Sequence, residues 1–174
     1  PLFDLLIGSG NLISRIINVI TKNKEYSIKG LISVKKKFNV SYSKHKITNV
    51  HFKKLSNKKN FPKIYIGKKG MKDEKILRFC KKIKPDLILV AGWYHLLPEK
   101  YLKIAPTYGF HGSFLPNYRG GAPLVWALIN GEKSTGVSLF KFKSGIDNGD
   151  VVFQEKIIIL KSDNIKSIYE KMSK

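Results

Sequence analysis

Five consecutive apolar residues, Leu87–Ala91 (LILVA), stand between Pro85-Asp86 and Gly92, and no other stretch limits the fold as tightly. A strand that is apolar at every position, rather than at alternate ones, must be covered on both faces, as the strands of parallel sheets are. Parallel neighbours need long crossovers, usually helical, so the chain should supply strand–turn–helix units. It does so at once. Phe3–Ile7 (FDLLI) runs into the tight turn Gly8, Ser9, Gly10, and Leu12, Ile13, Ile16, Ile17 and Ile20 then follow at the spacing of an amphipathic helix. Ile28–Val34 reads as the second strand, which completes a βαβ unit with a right-handed crossover. Lys63–Ile66 reads as a third strand. Asp73 caps a helix whose apolar face is Ile76, Leu77, Cys80 and Ile83, and Pro85-Asp86 ends it. Between Lys35 and Asn60 the chain is rich in Lys, Ser and Asn, and it reads as surface loops with at most one short buried segment. His45 and His51 fall there with nothing Gly-rich or acidic beside them, and both read as solvated. The expected class is α/β with a mostly parallel sheet.

At 174 residues the chain has the size of one domain, and a hydrophobic fraction of 43% can build its core. Its formal charge of +21 has two readings. One is a polyanionic partner such as nucleic acid, a nucleotide or a polyglutamylated cofactor. The other is a solvated, Lys-biased surface, favoured because only Arg15, Arg78 and Arg119 offer the planar fork that suits phosphates best. A single cysteine, Cys80, leaves no disulfide and no cysteine-based metal site. No metal is expected, and the expected compartment is the reducing cytoplasm. No apolar run approaches the ~18 residues that span a bilayer, so no membrane partner is expected. The turn GSGNLI carries only two of the three glycines of the dinucleotide fingerprint. Val34 and Lys35–Lys37 stand where its acidic residue belongs. Gly8 and Gly10 are therefore read as a turn whose backbone approaches some other anionic ligand.

The chemistry concentrates between Tyr108 and Asp150. An apolar approach reaches His111 and passes into a turn-rich run, Gly112, Ser113, Pro116, Asn117, Gly120 and Gly121. A helix-like segment Pro123–Asn130 follows, with Leu124 and Trp126 expected in the core. An alternating strand through Val137, Leu139, Phe140 and Phe142 leads to a second loop, Ser144–Gly149, which carries Asp147. Loops at the carboxyl ends of strands are where open α/β sheets bind ligands. Two such loops can bring His111 and Asp147 together. Gly92, Trp93, Tyr94, His95, Leu96, Leu97 and Pro98, just after the apolar strand, suit one wall of a pocket for a flat ligand.

AGWYHLLP, then HGSFLPNYRGGAPLVWALINGE, then TGVSLF and GIDNGD, in that order and with that His-to-Asp spacing, resemble the 10-formyltetrahydrofolate-dependent formyltransferases. The resemblance is strongest from Leu87 to Gln154, and within the family it is to the methionyl-tRNA and sugar-nucleotide branches. It implies a Rossmann-like, three-layer formyltransferase domain with a mostly parallel central sheet. It also implies 10-formyltetrahydrofolate as co-substrate and a primary amine, on an aminoacyl-tRNA or an amino-sugar nucleotide, as acceptor. Of the family's catalytic Asn, His and Asp, the His matches His111 and the Asp matches Asp147. The Asn position holds Gly109, which offers no side-chain donor. The glycine-rich loop, with its backbone N–H groups, is expected to replace it; the other possibilities are that the donor is simply lost, leaving activity low, and that Gly109 has a backbone angle only glycine tolerates. By the same resemblance Gly92, Trp93, Tyr94, Leu96, Leu97, Pro98 and Ile146 contact the folate. Gly8, Gly10, Ser113, Tyr118, Arg119 and Gly120 are assigned to the acceptor side, and Asp150 opens the next strand in a structural part.

Formyl transfer is acyl transfer, and negative charge develops on the formyl oxygen as the amine attacks. An N–H-donating imidazole at His111, with the Gly112 N–H nearby, suits that oxyanion. A carboxylate at Asp147 can hold the imidazole and take the amine's proton. Ser113 lacks the Gly-x-Ser-x-Gly setting of a nucleophile. Two other functions stay open. One is hydrolysis of formyltetrahydrofolate, with water as nucleophile, and the other is a non-enzymatic basic binder of nucleotides or nucleic acid. The chain starts at Pro1 and stops in a helix-like run. It is expected to be a catalytic domain spanning 1–174, cut at both ends, without the C-terminal β-domain of the tRNA branch.

Overall fold

The computed structural model describes residues 2–34, 37–38, 47–48 and 61–174. They form two compact units, Pro1–Thr107 and Tyr108–Lys174.

In the first unit, strand β1 (Leu2–Gly8) lies between β2 (Tyr26–Ser33) and β6 (Leu87–Ala91), parallel to both. A short β5 (Lys63–Tyr65) runs parallel to β2 on its far side. Two-residue strands β3 (Lys37–Phe38) and β4 (Ile47–Thr48) form a separate antiparallel pair. His45, His51 and most of the Lys35–Asn60 loop lie outside the described residues. Leu5, Leu6 and Ile7 are consecutive and all fully buried, as a strand covered on both faces requires. Helix α1 (Gly10–Ile20) buries Leu12, Ile13 and Ile17. After a 3₁₀ turn (Gly70–Lys72), helix α2 (Glu74–Ile83) starts where the Asp73 carboxylate accepts the Lys75 N–H, and it buries Ile76, Leu77 and Cys80. Burial pushes the Cys80 thiol up to about 12, so this cysteine is a small apolar core residue. The one-turn α3 (Glu99–Leu102) was not foreseen; its Tyr101 is fully buried and donates its phenol hydrogen to the Met71 carbonyl at 2.8 Å.

The second unit begins on β7 (Thr107–His111), which continues through α4 (Pro123–Ile129), β8 (Ser134–Lys141), β9 (Val151–Ile158) and α5 (Ile165–Met172). β8 pairs antiparallel with both β7 and β9. Leu124, Ile157 and Ile168 form the centre of its core, with Leu128, Tyr169 and Met172 packed around them. Leu124 is buried as expected. Trp126 is not: it is 52% exposed, along with Val125 and Ile129, because a seven-residue helix turns only its Leu124 and Ala127 face inward.

Candidate active site

β7 carries its residues in alternation: Thr107, Gly109 and His111 are buried, and Tyr108 and Phe110 are half-buried. Successive strand residues face opposite ways, so position 109 and His111 share a face. His111 is the last residue of β7, opposite Ser138 of β8, and is only 8% exposed. It is therefore a buried strand-end residue and not part of the loop. Gly109 pairs with Phe140 inside the same ladder. Its backbone is extended, a conformation open to any L residue, and the idea of a glycine-only angle there falls away.

The chain after His111 folds back on it. Ser113 is fully buried and donates its hydroxyl hydrogen to the Asn117 carbonyl at 2.6 Å, while the Asn117 N–H reaches the Phe114 carbonyl. Ser113 thus binds backbone, and its hydroxyl hydrogen is committed to the loop. Ser138 holds the same loop from β8. Its hydroxyl donates to the Ser113 carbonyl at 2.6 Å and accepts the Leu115 N–H at 3.1 Å and the Gln154 amide at 2.9 Å. Gln154, on β9, also donates to the Leu115 carbonyl at 3.0 Å. One hydroxyl with one hydrogen and two lone pairs is thereby used in full. Neither residue was singled out from the sequence; a serine inside the apolar strand run TGVSLF is the signal that marks Ser138.

Held in this way, the loop brings two backbone groups to the His111–Asp147 pair. The Tyr118 carbonyl lies 2.7 Å from His111 Nε2; a carbonyl can only accept, which assigns the hydrogen to Nε2. His111 Nδ1 faces Asp147 Oδ2 at 3.4 Å. The same Oδ2 accepts the Gly120 N–H at 2.9 Å. The sequence placed Tyr118 and Gly120 on the acceptor side, and here both touch the pair itself through their backbones. The Gly120 N–H, one of the groups expected to replace the missing Asn, is spent on Asp147. Arg119, between them, is exposed.

Asp147 sits in the β8–β9 connection with φ 45°, a left-handed conformation that Asp tolerates better than most residues. Around it the loop is tied down: Asn148 donates to the Ser144 carbonyl, Lys143 pairs with Asp150, and the Gly149 backbone lies so close to the Lys141 carbonyl that a side chain has no room. Asp150 keeps the structural part expected of it, its carbonyl accepting the Lys141 N–H just before β9. Ile146 is 54% exposed at the tip.

In the first unit, Gly8 ends β1 where a side chain would run into the Ala91 carbonyl and Ile13, and Gly10 opens α1 with φ 73°. Ser9 and Ser33 sew this turn down: Ser9 donates its hydroxyl hydrogen to the Gly92 carbonyl and Ser33 to that of Gly8. Gly8 is thus explained by close packing of β1 on β6, and Gly10 by its left-handed backbone. Gly92 itself has φ 59°. Beyond it Leu96 and Tyr94 are exposed, Leu97 and Pro98 half-buried, and the Trp93 indole N–H is buried without a hydrogen-bond partner. The Trp93 ring stands 5.4 Å from that of His95, and burial lowers the His95 pKa. Among the described residues no group of three or more His, Cys, Asp or Glu is placed to hold a metal ion, and no helix is long and apolar enough to cross a membrane.

Known proteins share the sequence family and the fold of this chain. The chain is 35% identical over 130 residues to a methionyl-tRNA formyltransferase of a Nitratiruptor species, a match that covers 75% of the chain and 43% of that protein. It is 39% identical over 133 residues to the bifunctional polymyxin resistance protein ArnA of Wigglesworthia glossinidia brevipalpis, covering 75% of the chain and 20% of that protein. The chain therefore spans less than half the length of these relatives. Its fold matches the crystal structure of phosphoribosylglycinamide formyltransferase from Bacillus halodurans with a TM-score of 0.75 at 20% identity, over 98% of this chain and 87% of that one. The model of the formyl transferase family matches residues 4–174, and the chain belongs to that family.

Proposed function

We propose that this protein moves a formyl group from 10-formyltetrahydrofolate to a primary amine, with an aminoacyl-tRNA as the favoured acceptor, and that His111 and Asp147 carry the transfer. The observation behind this reading is the His111–Asp147 pair, gripped by the Tyr118 carbonyl on one side and the Gly120 N–H on the other. In the reaction the amine nitrogen attacks the formyl carbon and the carbonyl electrons move onto oxygen. The tetrahedral intermediate then collapses, the bond to N10 of the folate breaks, N10 gains a proton and the amine loses one. His111, held between the Tyr118 carbonyl and Asp147, presents the imidazole that favours the charge growing on the formyl oxygen. Asp147 holds the ring, and its carboxylate takes the amine's proton directly or through water. The loop from Gly92 to Pro98, with its exposed Leu96 and Tyr94 and its unpartnered Trp93 N–H, is the proposed folate contact of the first unit.

The tRNA reading draws on the methionyl-tRNA formyltransferases among the relatives. The run RGGAPLVWALINGE also resembles the sugar-nucleotide branch, which makes an amino-sugar nucleotide the second reading. The test offers the full-length protein 10-formyltetrahydrofolate with methionyl-tRNA, with an amino-sugar nucleotide, and with no amine. Formylated methionyl-tRNA is the expected product. Formylation of the sugar alone moves the assignment to the second reading. Formate release at the same rate without any amine replaces transfer by hydrolysis. Salt-dependent binding of RNA without folate binding removes the enzymatic reading altogether.

A further inference from the structure

We infer that Tyr118 is a positioning residue for His111: its backbone carbonyl fixes the imidazole, and a clamp on its phenol keeps that carbonyl in place. The inference rests on the reading that His111 and Asp147 carry the transfer. Tyr118 has φ 54°, a left-handed conformation that a bulky side chain enters at a cost of roughly 1–2 kcal/mol. That conformation is held from both ends. The carbonyl accepts the His111 Nε2–H at 2.7 Å. The phenol hydroxyl donates to Glu132 Oε1 at 2.6 Å and accepts the Asn130 amide at 3.0 Å. Asn130 and Glu132 directly follow α4, so Tyr118 ties the end of that helix to the end of β7. Two residues on, the Gly120 N–H binds Asp147 Oδ2. The backbone from 118 to 120 therefore touches both members of the pair, and a shift of this bridge moves imidazole and carboxylate together.

The clamp itself lies at the surface. Exposed hydrogen bonds add little to folding, whereas small displacements of reacting groups cost much in rate. Loss of the clamp is therefore read in turnover and not in melting, which separates positioning from a merely structural role. In formyl transfer by the full-length protein, Tyr118→Phe is expected to lower kcat roughly tenfold, with KM for both substrates and Tm little changed. Glu132→Ala should do the same, and Glu132→Gln, whose amide oxygen still accepts the phenol hydrogen, should recover most of that loss. The Tyr118→Phe, Glu132→Ala double variant should be no slower than either single one. A wild-type kcat in Tyr118→Phe, or a change confined to KM, overturns the inference. His111→Gln in the same assay separates the two levels: if it is as active as wild type, the reading of the pair fails. If it is inactive while Tyr118→Phe is unaffected, the role of Tyr118 alone fails. ¹⁵N–¹H spectra of the His111 ring give a readout that needs no turnover. The Nε2–H signal should be present in wild type and exchange faster with water in Tyr118→Phe; an unchanged signal overturns the inference.

Discussion

His111 is not a residue that can be deleted without consequence for the fold. It is buried at the end of β7, and its ring satisfies the Tyr118 carbonyl. His111→Ala would leave that carbonyl unpaired, at a cost of about 1–3 kcal/mol, and a loss of activity would be confounded by a loss of stability. His111→Gln keeps an N–H donor in reach and is the cleaner variant; Asp147→Asn keeps the shape of the carboxylate. Each is expected to abolish formyl transfer with Tm close to wild type, and the double variant to be hardly worse than either, since the two act as a unit. Additive losses, or an active Asp147→Asn enzyme, would remove them from the proposed mechanism. Gly109 is the complementary case, a position where the chain lacks a group. Because it sits in an ordinary strand conformation on the His111 face, an asparagine there meets no backbone penalty. The Gly120 N–H does not replace it, being bound to Asp147. Gly109→Asn is therefore expected to raise kcat, by on the order of 10²- to 10³-fold if it restores a lost oxyanion donor. Gly109→Ala serves as the control for size alone. A fall in kcat with both would mean that another group has taken the donor's place and is being crowded out.

At the scale of elements, the site depends on a loop between β7 and α4 that β8 fastens through one hydroxyl. Ser138 reaches from β8 to two backbone groups of that loop and is itself held by Gln154 of β9. Ser138→Ala strands the Leu115 N–H and the Ser113 carbonyl, and at about 1–3 kcal/mol for each unpaired group it should lower Tm by roughly 5–15 °C. Hydrogen exchange at the Leu115 amide should accelerate with it, and unchanged protection there would show that the loop is fastened elsewhere. The pattern of what the sequence reveals follows from the same physics. β1, β6, α1 and α2 were legible because burial on one or both faces forces an apolar pattern on them. β9 carries no such pattern and was expected only from the resemblance, as the strand that Asp150 opens, since Val151, Val152 and Phe153 are exposed while Ile157 is buried, and no alternation survives. Trp126 misled for the opposite reason, an apolar residue on the solvent side of a short helix. Within the site, His111 and Asp147 announce themselves as side chains in a motif. The Tyr118 carbonyl and the Gly120 N–H do not, because every residue has such groups and only the folded loop decides which ones matter.

For the molecule as a whole, the most consequential misfit belongs to the first unit. Asp4 lies within β1, only 2% exposed, with Oδ1 lacking any hydrogen-bond partner. Its neighbour in register is Leu87, directly after Asp86. Burial, and secondarily the charge of Asp86, raise the Asp4 carboxyl from 3.8 to about 6. A carboxyl whose folded pKa lies above its unfolded one binds its proton more tightly in the native state. Its contribution to stability is therefore complete below about pH 4 and is lost as pH rises through about 6. Two pH units of such a shift correspond to roughly 3 kcal/mol, a sizeable part of the 5–15 kcal/mol that holds a typical domain together. Asp163 acts in the opposite sense and in another window: its hydrogen bond to Lys171 holds it down at about 2, so what it contributes is lost only as acid approaches that value. The two can be told apart by difference. Asp4→Asn removes the titration without changing the shape of the side chain, so Tm of the variant minus Tm of wild type should be small near pH 4. It should grow positive up to about pH 6–7 and then level off. Asp86→Asn should show a weaker rise of the same sign, because it removes only the secondary cause. A variant less stable than wild type at pH 7.5, or a difference that does not change across this window, would mean that the carboxylate of Asp4 is well solvated in the native protein.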